Sequence, residues 1–468
     1  MLLSSQITRL RVHLAKVPPL RTQTEQAFPR ASSPTRIRSL LVLAAWFGII
    51  AGLVEGVGLL LFQRINWERW GPTLHVSEQI VWISAVANLL LFSLSVLLLS
   101  ALPRLFPKTS IIRSAVRLLV ALTIFDWLMV TARLSALSCF LLAVGVAVAG
   151  SRSMAKHEAG FLLLVQRTFP LVAAVGVLAV IGIQGNRRLQ ENRAIAALPS
   201  AAANAPNVLV IVVDTLRADH LSSYGYSRPT SPNIDHVATQ GILFENAISS
   251  SSWTFPSHAS LLTGRYPFEH GMEKIRPMPI FGNSDAFSLG GFPTLGEALI
   301  RRGYRTGAFS ANRTFFTRDL GFGRGFIHFE DYFHSIRDML ARPLYGRELV
   351  GLYVQRIQRS LKRELLGYGQ GFGPRKHADA VNREVINWID RDPGHPFFIF
   401  LNYLDVHEPY GSPASYPKPD WNRGTPTDKY DDGIRYVDDY IGRLLQELDE
   451  KGLGKNTIVI ITSDHGES

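Results

Sequence analysis

The first 185 positions carry apolar runs too long for the core of a water-soluble domain, and this determines the solvent in which that half can fold. A helix needs about 20 mostly apolar residues to cross about 30 Å of hydrocarbon. Five stretches meet or approach that length, at about 39–62, 80–102, 112–131, 134–150 and 161–184. Arg133 separates the third from the fourth and Asp126 interrupts the third, so four spans is the alternative count. The expectation over 39–184 is an all-α transmembrane bundle of about five helices.

The charge distribution agrees with a membrane. Lys and Arg number 49 against 38 Asp and Glu, an excess that could also serve nucleic acid. Seven of the basic residues (Arg9, Arg11, Lys16, Arg21, Arg30, Arg36, Arg38) lie in residues 1–38, before the first span, which reads as a basic cytoplasmic tail. Nucleic acid is therefore not an expected partner. Arg104, Lys108 and Arg113 in one loop, and Arg152 and Lys156 in another, fall on the same side as the tail. An odd number of spans then leaves everything after Gly182 on the periplasmic or extracellular side of an inner or plasma membrane. The lone Cys139 excludes an intramolecular disulfide and cysteine metal clusters. No cleavable signal peptide of the usual form precedes the first span.

Glu55 and Asp126 fall inside spans, where an ionisable group is costly and often functional. The plainer reading is that each faces a neighbouring helix, since no span has the broken-helix pattern of a transporter. Residues 185–205, with an Arg pair and a run of Ala, Ser and Pro, read as a linker.

Beyond position 206 the pattern changes. NVLVIVVD (207–214), FFIFLNYLDVH (397–407) and NTIVIITSDH (456–465) are apolar runs of buried-strand type, each finishing in Asp or His. Helical patterns lie between them: residues 293–302, and a stripe of Tyr430, Ile434, Val437, Ile441, Leu444 and Leu448. Alternating strands and helices predict an α/β fold with a mostly parallel sheet flanked by helices. Ligands of such sheets collect at the carboxyl ends of strands, where Asp214, His407, Asp464 and His465 fall. One Asp in such a place is ordinarily a turn or cap residue; three strands ending this way point to one site.

WTFPSHASLLTG (253–264) supplies a hydroxyl. Pro256 suits a first helical turn, which puts Thr254 at the N-terminus, where free N–H groups favour a developing anion. His258, four residues on, shares its face. Thr254 is either an N-cap or, beside a divalent cation, an activated nucleophile.

The ordered motifs PNVLVIVVDTLRADHLSSYGY, SSWTFPSHASLLTGRYPFEHG, GYRTGAFSAN, PFFIFLNYLDVHEPY and TIVIITSDHGE resemble the sulfatase domain of the alkaline-phosphatase superfamily over essentially all of 206–468. The resemblance implies one divalent cation held by Asp214, Thr254, Asp464 and His465, with His407 as a substrate-side histidine. Calcium or magnesium is implied by likeness to sulfatases, manganese or zinc by likeness to transferases. The departures are informative. Sulfatases carry Cys or Ser in C/S-x-P-S-R, converted to formylglycine; here the segment is T-F-P-S-H, so no formylglycine is expected and His258 replaces the arginine. The family's Lys-x-His pair is absent, leaving Asn312 and Arg313 as candidate substrate-binding residues, and Thr215 takes the place of a second acid.

A threonine nucleophile is similar to that of nucleotide pyrophosphatase/phosphodiesterases, and of lipoteichoic acid synthases and phosphoethanolamine transferases. The last two also resemble this chain in architecture, with spans followed by an external catalytic domain. The primary expectation is therefore phosphate-ester hydrolysis or transfer through Thr254, with Thr254, His258 and His407 catalytic and with lipid or glycan esters as candidate substrates. Sulfate-ester hydrolysis without formylglycine is the second, and a catalytically silent scaffold the third. Arg342, Arg347, Arg356, Arg359, Lys362 and Arg363 form a basic insertion suited either to anionic lipid or to a solvated helix face. Related domains continue past the DHGE signature, so the 206–468 domain is expected to be C-terminally truncated.

Overall fold

The computed structural model describes residues 33–65, 76–101, 111–131, 134–154, 157–273, 288–312, 314–331, 336–352, 368–369, 373–374, 376–392 and 394–467. Arg313, most of the basic tail, and Arg356, Arg359, Lys362 and Arg363 of the insertion lie outside them.

Among the described residues of the first half are five helices: α1 (Ser33–Ile65), α2 (Ile80–Ala101), α3 (Ile111–Met129), α4 (Ala136–Met154) and α5 (Glu158–Ala196). Three are long and apolar enough to cross a membrane: Ile37–Phe62, Ile80–Ala101 and Glu158–Ala196. The expected five spans thus become five helices of which three meet that measure. The apolar part of α4, Ala136–Arg152, is short, and α3 carries Arg113, Arg117 and Asp126.

Glycine sets the α1–α2 contact. A Cβ built on Gly52 would come within 2.3 Å of the Ser84 carbonyl oxygen, and one on Gly56 within 2.4 Å of the Val81 Cα. Their missing side chains let the two backbones approach closely.

The linker expectation needs correction. Helix α5 continues to Ala196, and only the residues after it leave the helix before the first strand. NRRLQENRAIA is built of good helix formers, and Arg187 pairs with Glu191 at 3.4 Å one turn on. The Ala-Ser-Pro tract obscures this, but Pro199 falls after the helix has ended.

The second half is a three-layer α/β/α unit. Its sheet has strands β1 (Asn207–Val213), β2 (Arg305–Ser310), β3 (His328–Glu330), β4 (Phe397–Tyr403) and β5 (Thr457–Ser463). They lie in the order β3-β2-β4-β1-β5, all parallel. Alternate residues serve opposite faces. Leu209, Ile211, Val213, Ile399 and Leu401 pack on helices α11 (Ala378–Ile389) and α12 (Pro426–Glu450); Val210, Val212, Phe398 and Phe400 pack on α7 (Thr254–Thr263). Between β1 and α7 lies α6 (Pro232–Gln240), while α8 (Leu295–Ile300) precedes β2 and α9 (Ile336–Ala341) and α10 (Leu344–Leu352) follow β3. All six residues of the expected α12 stripe are buried. Thr425 starts that helix by accepting the Asp428 N–H at 3.1 Å, with Pro426 in the first turn. The central strands β4 and β1 direct their carboxyl ends to one edge, next to the start of α7.

Candidate metal and nucleophile site

Asp214 follows β1 directly, and its N–H is held by the Tyr403 carbonyl at 2.9 Å, the last residue of β4. Asp464 and His465 follow β5. Asp214, Asp464 and His465 each offer a ligand atom within 4.8 Å of the others. Thr254 opens α7, one residue past the expected cap position, which Trp253 takes. Its Oγ1 lies 3.3 Å from His465 Nε2, and that nitrogen lies 3.5 Å from Asp464 Oδ2 and 3.9 Å from Asp214 Oδ1. The four residues expected to share a cation therefore converge.

Each acid commits one oxygen to the protein. Asp214 Oδ2 accepts from the Asn312 amide at 2.9 Å and from Asn402 at 3.4 Å. Asp464 Oδ1 accepts the backbone N–H groups of Thr215 at 3.1 Å and of His465 at 2.9 Å. The remaining oxygens, Asp214 Oδ1 and Asp464 Oδ2, are buried without a hydrogen-bond partner among the described residues. Burial, and the neighbouring Asp214 charge, raise the Asp464 carboxyl well above the usual range. Two orphaned carboxylate oxygens, an imidazole nitrogen and a hydroxyl fit a divalent cation, whose charge would offset that of the acids.

A polar layer lies beneath. His258 is fully buried, with Phe316 at 4.6 Å and Phe400 at 5.8 Å between ring centroids. Its Nδ1 lies 3.0 Å from the Thr254 carbonyl, and its Nε2 faces the Asn402 amide at 3.3 Å. The first contact makes Nδ1 the protonated nitrogen and lets Nε2 accept. Burial pulls its pKa down to about 4, so the ring is neutral. The ring thus joins the α7 carbonyl to the acids from below, through Asn402. Asn312 belongs to the same layer. Its amide holds Asp214 while its Oδ1 accepts the N–H groups of Thr314 and Phe315, at 3.2 and 2.9 Å, so both ends of the side chain are engaged within the protein. His407 lies on the loop after β4, its Nδ1 2.8 Å from the Glu408 carbonyl, and is not in the cluster of ligand atoms.

Several contributors escape a reading of motifs. Asn402 bridges Asp214 and His258; its signal is one amide in the otherwise apolar FFIFLNY strand. Ser257 donates to the Asp464 carbonyl at 2.5 Å, and Ser249 donates to the same oxygen, tying the ligand turn to α7. Thr215 adopts φ of 62°, an uncommon conformation for a β-branched residue. It is held there through its N–H on Asp464 and its carbonyl, which accepts the Tyr430 hydroxyl at 2.7 Å.

A family model described as Sulfatase matches residues 206–468. Human N-acetylgalactosamine-6-sulfatase is 28% identical over 282 residues, covering 57% of this chain and 51% of its own length. The arylsulfatase of Clostridium perfringens is 27% identical over 312 residues, covering 56% and 63%. The chain thus spans about half to under two thirds of the length of these curated relatives. Among solved structures, the phosphonate monoester hydrolase of Agrobacterium radiobacter aligns at a TM-score of 0.39 and 21% identity, over 56% of this chain and 63% of that one. The C-terminal periplasmic domain of EcEptC from Escherichia coli aligns at 0.39 and 20%, over 58% and 68%.

Proposed function

This chain belongs to the sulfatase family, and from that premise we propose that it is a membrane-anchored ester hydrolase or transferase acting on phosphate esters through Thr254. The observation that carries this reading is the Thr254 hydroxyl, 3.3 Å from His465 and beside two carboxylate oxygens without hydrogen-bond partners among the described residues. Asp214, Asp464, His465 and the Thr254 oxygen would hold the cation. A divalent ion there supplies Lewis acidity, lowering the proton affinity of the hydroxyl and offsetting charge on the non-bridging ester oxygens.

The chain's own residues account for the rest. Helix α7 presents Thr254 at its N-terminus, where unsatisfied N–H groups favour negative charge. The Thr254 hydroxyl gives its proton to solvent, and its oxygen bonds to phosphorus as the bond from phosphorus to the departing alkoxide oxygen breaks. His407 is the proposed donor to that oxygen. In the second half-reaction water, or a lipid or glycan hydroxyl, gives its proton to His407 and bonds to phosphorus, and Thr254 regains a proton from solvent as its own bond breaks. His258, Asn402 and Asn312 hold the acids and the α7 carbonyl without meeting substrate.

Membrane anchoring is supported by three helices of spanning length and by the exposed apolar flank of α4 and α5, including Leu137, Leu141, Leu171, Leu178 and Ile181. An odd number of crossings from a basic N-terminal tail puts the site on the periplasmic or extracellular side.

Sulfate esters are the second reading, favoured by the family itself. Sulfate and phosphate esters share tetrahedral geometry and oxyanion demands. Metal-loaded protein assayed in parallel on a phosphodiester, a phosphomonoester and an aryl sulfate separates the two, with phosphate esters expected to turn over faster. Thr254→Ala is expected to keep its metal and lose at least about a hundredfold in turnover; full turnover by that variant defeats the proposal, and metal bound with no turnover of any ester by the native chain favours a scaffold.

A further inference from the structure

The two features left unexplained by the site, the acids within the helical bundle and the insertion after β3, meet in one place. Glu55 on α1, Asn88 on α2 and Asp126 on α3 are 0%, 1% and 1% exposed. The Asn88 amide donates to Glu55 Oε2 at 2.7 Å and lies 3.5 Å from Asp126 Oδ2. The other Glu55 oxygen, Oε1, accepts the backbone N–H of Leu344 at 2.7 Å.

Leu344 is the first residue of α10, so its N–H has no acceptor within that helix. A carboxylate at such a terminus is favourable through both the hydrogen bond and the helix dipole. The packing follows the cap. The Leu344 side chain is buried among Leu59, Val76, Ile80, Ile83 and Val130. The Tyr345 hydroxyl donates to the Leu122 carbonyl, and its ring lies 5.9 Å from Phe125 and 6.5 Å from Phe92. Upstream, Arg187 of α5 donates to the Phe329 carbonyl of β3 at 2.9 Å, so the segment between β3 and α10 is fixed to the bundle at both ends.

We propose that Glu55 caps α10 from inside the bundle and thereby positions the catalytic half over the membrane, so that Glu55 and Asp126 favour membrane-borne over soluble esters. Glu55 and Asp126 are positioning residues in this scheme. The explanation accounts for two acids in apolar helices without a transport role: Glu55 is the acceptor for α10, and Asp126 completes the Asn88 bridge that orients it. The preference for membrane-borne esters rests on the function proposed above, whereas the cap does not.

The test uses the full chain in lipid nanodiscs. Glu55→Ala removes the acceptor, Glu55→Gln keeps it, and Leu344→Pro removes the donor at a first-turn position that proline tolerates. Hydrogen exchange across 345–352 is expected to rise about five- to tenfold in Glu55→Ala and Leu344→Pro and to stay near native in Glu55→Gln, with α1–α3 protected throughout. Unchanged exchange in both disrupting variants overturns the cap, as does loosening of α1–α3 equal to that of α10. In Glu55→Ala, turnover of a phosphodiester lipid carried in the same nanodiscs is then expected to fall several-fold relative to soluble bis(p-nitrophenyl) phosphate. Equal loss on both, or loss on neither, overturns the positioning role; absence of turnover by the native chain on either defeats the proposed function and leaves the exchange result to decide the cap.

Discussion

Asp214 and Asp464 are held by amides and backbone N–H groups on one side and face each other's charge on the other. An acid whose folded pKa is raised weakens the fold once it ionises, unless a cation is present. Asp464→Asn is therefore expected to raise the unfolding temperature of metal-free protein and to abolish the gain from added metal, which for the native chain is about 2.7 kcal/mol at a hundredfold excess over Kd. Thermal unfolding with and without Mn, Zn, Mg and Ca checks this, and an equal metal response in the variant contradicts it. Asp214, Asp464 and His465 were legible as candidate ligands because each ends an apolar run at a strand terminus. The supporting layer was not. His258 and Asn312 sit in motif positions that suggest substrate contact, and only the packing of Phe316 and Phe400 and the double use of the Asn312 amide place them beneath the acids.

Among elements, the strands and α12 were readable from period alone, since β-branched runs and a 3.6-residue stripe leave few alternatives. The end of α5 was not, because Ala, Ser and Pro after position 196 resemble a tether while the preceding Arg, Glu, Leu and Ala extend the helix. That extension makes a clasp: His328 Nδ1 of β3 lies 2.8 Å from Glu191, and Arg187 reaches the Glu330 carboxylate at 3.3 Å. Burial lowers the His328 pKa below its ordinary 6.5, so the folded state favours the neutral ring. Its contribution is fully present above pH 6.5 and is lost as pH falls through the lower folded value. The unfolding temperature of the native chain is expected to drop between about pH 7.5 and about pH 5, and His328→Gln to flatten that dependence; parallel profiles contradict the clasp. Helix α1 gives a second prediction at this scale. Gly52→Ala places a carbon 2.3 Å from the Ser84 oxygen and is expected to destabilise the bundle by about 1–3 kcal/mol, measured by unfolding in detergent. An unchanged midpoint would mean α1 and α2 do not pack through that glycine.

The whole molecule joins two halves that sequence alone could separate but not orient. The division itself follows from apolar run length and the position of the acids. The strand order β3-β2-β4-β1-β5 and the seating of α10 on the bundle depend on contacts between distant segments, which no local pattern encodes. One arrangement follows: a parallel sheet whose carboxyl edge carries the candidate cation ligands, a helix that delivers Thr254 to them, and two attachments to a hydrophobic bundle. The covalent role of Thr254 is central to this account. Metal-loaded protein mixed with a phosphodiester and quenched within one turnover, then mapped by peptide mass spectrometry, is predicted to carry phosphate on Thr254. Full turnover with no phosphate on Thr254, and the same rate in Thr254→Ala, would contradict it.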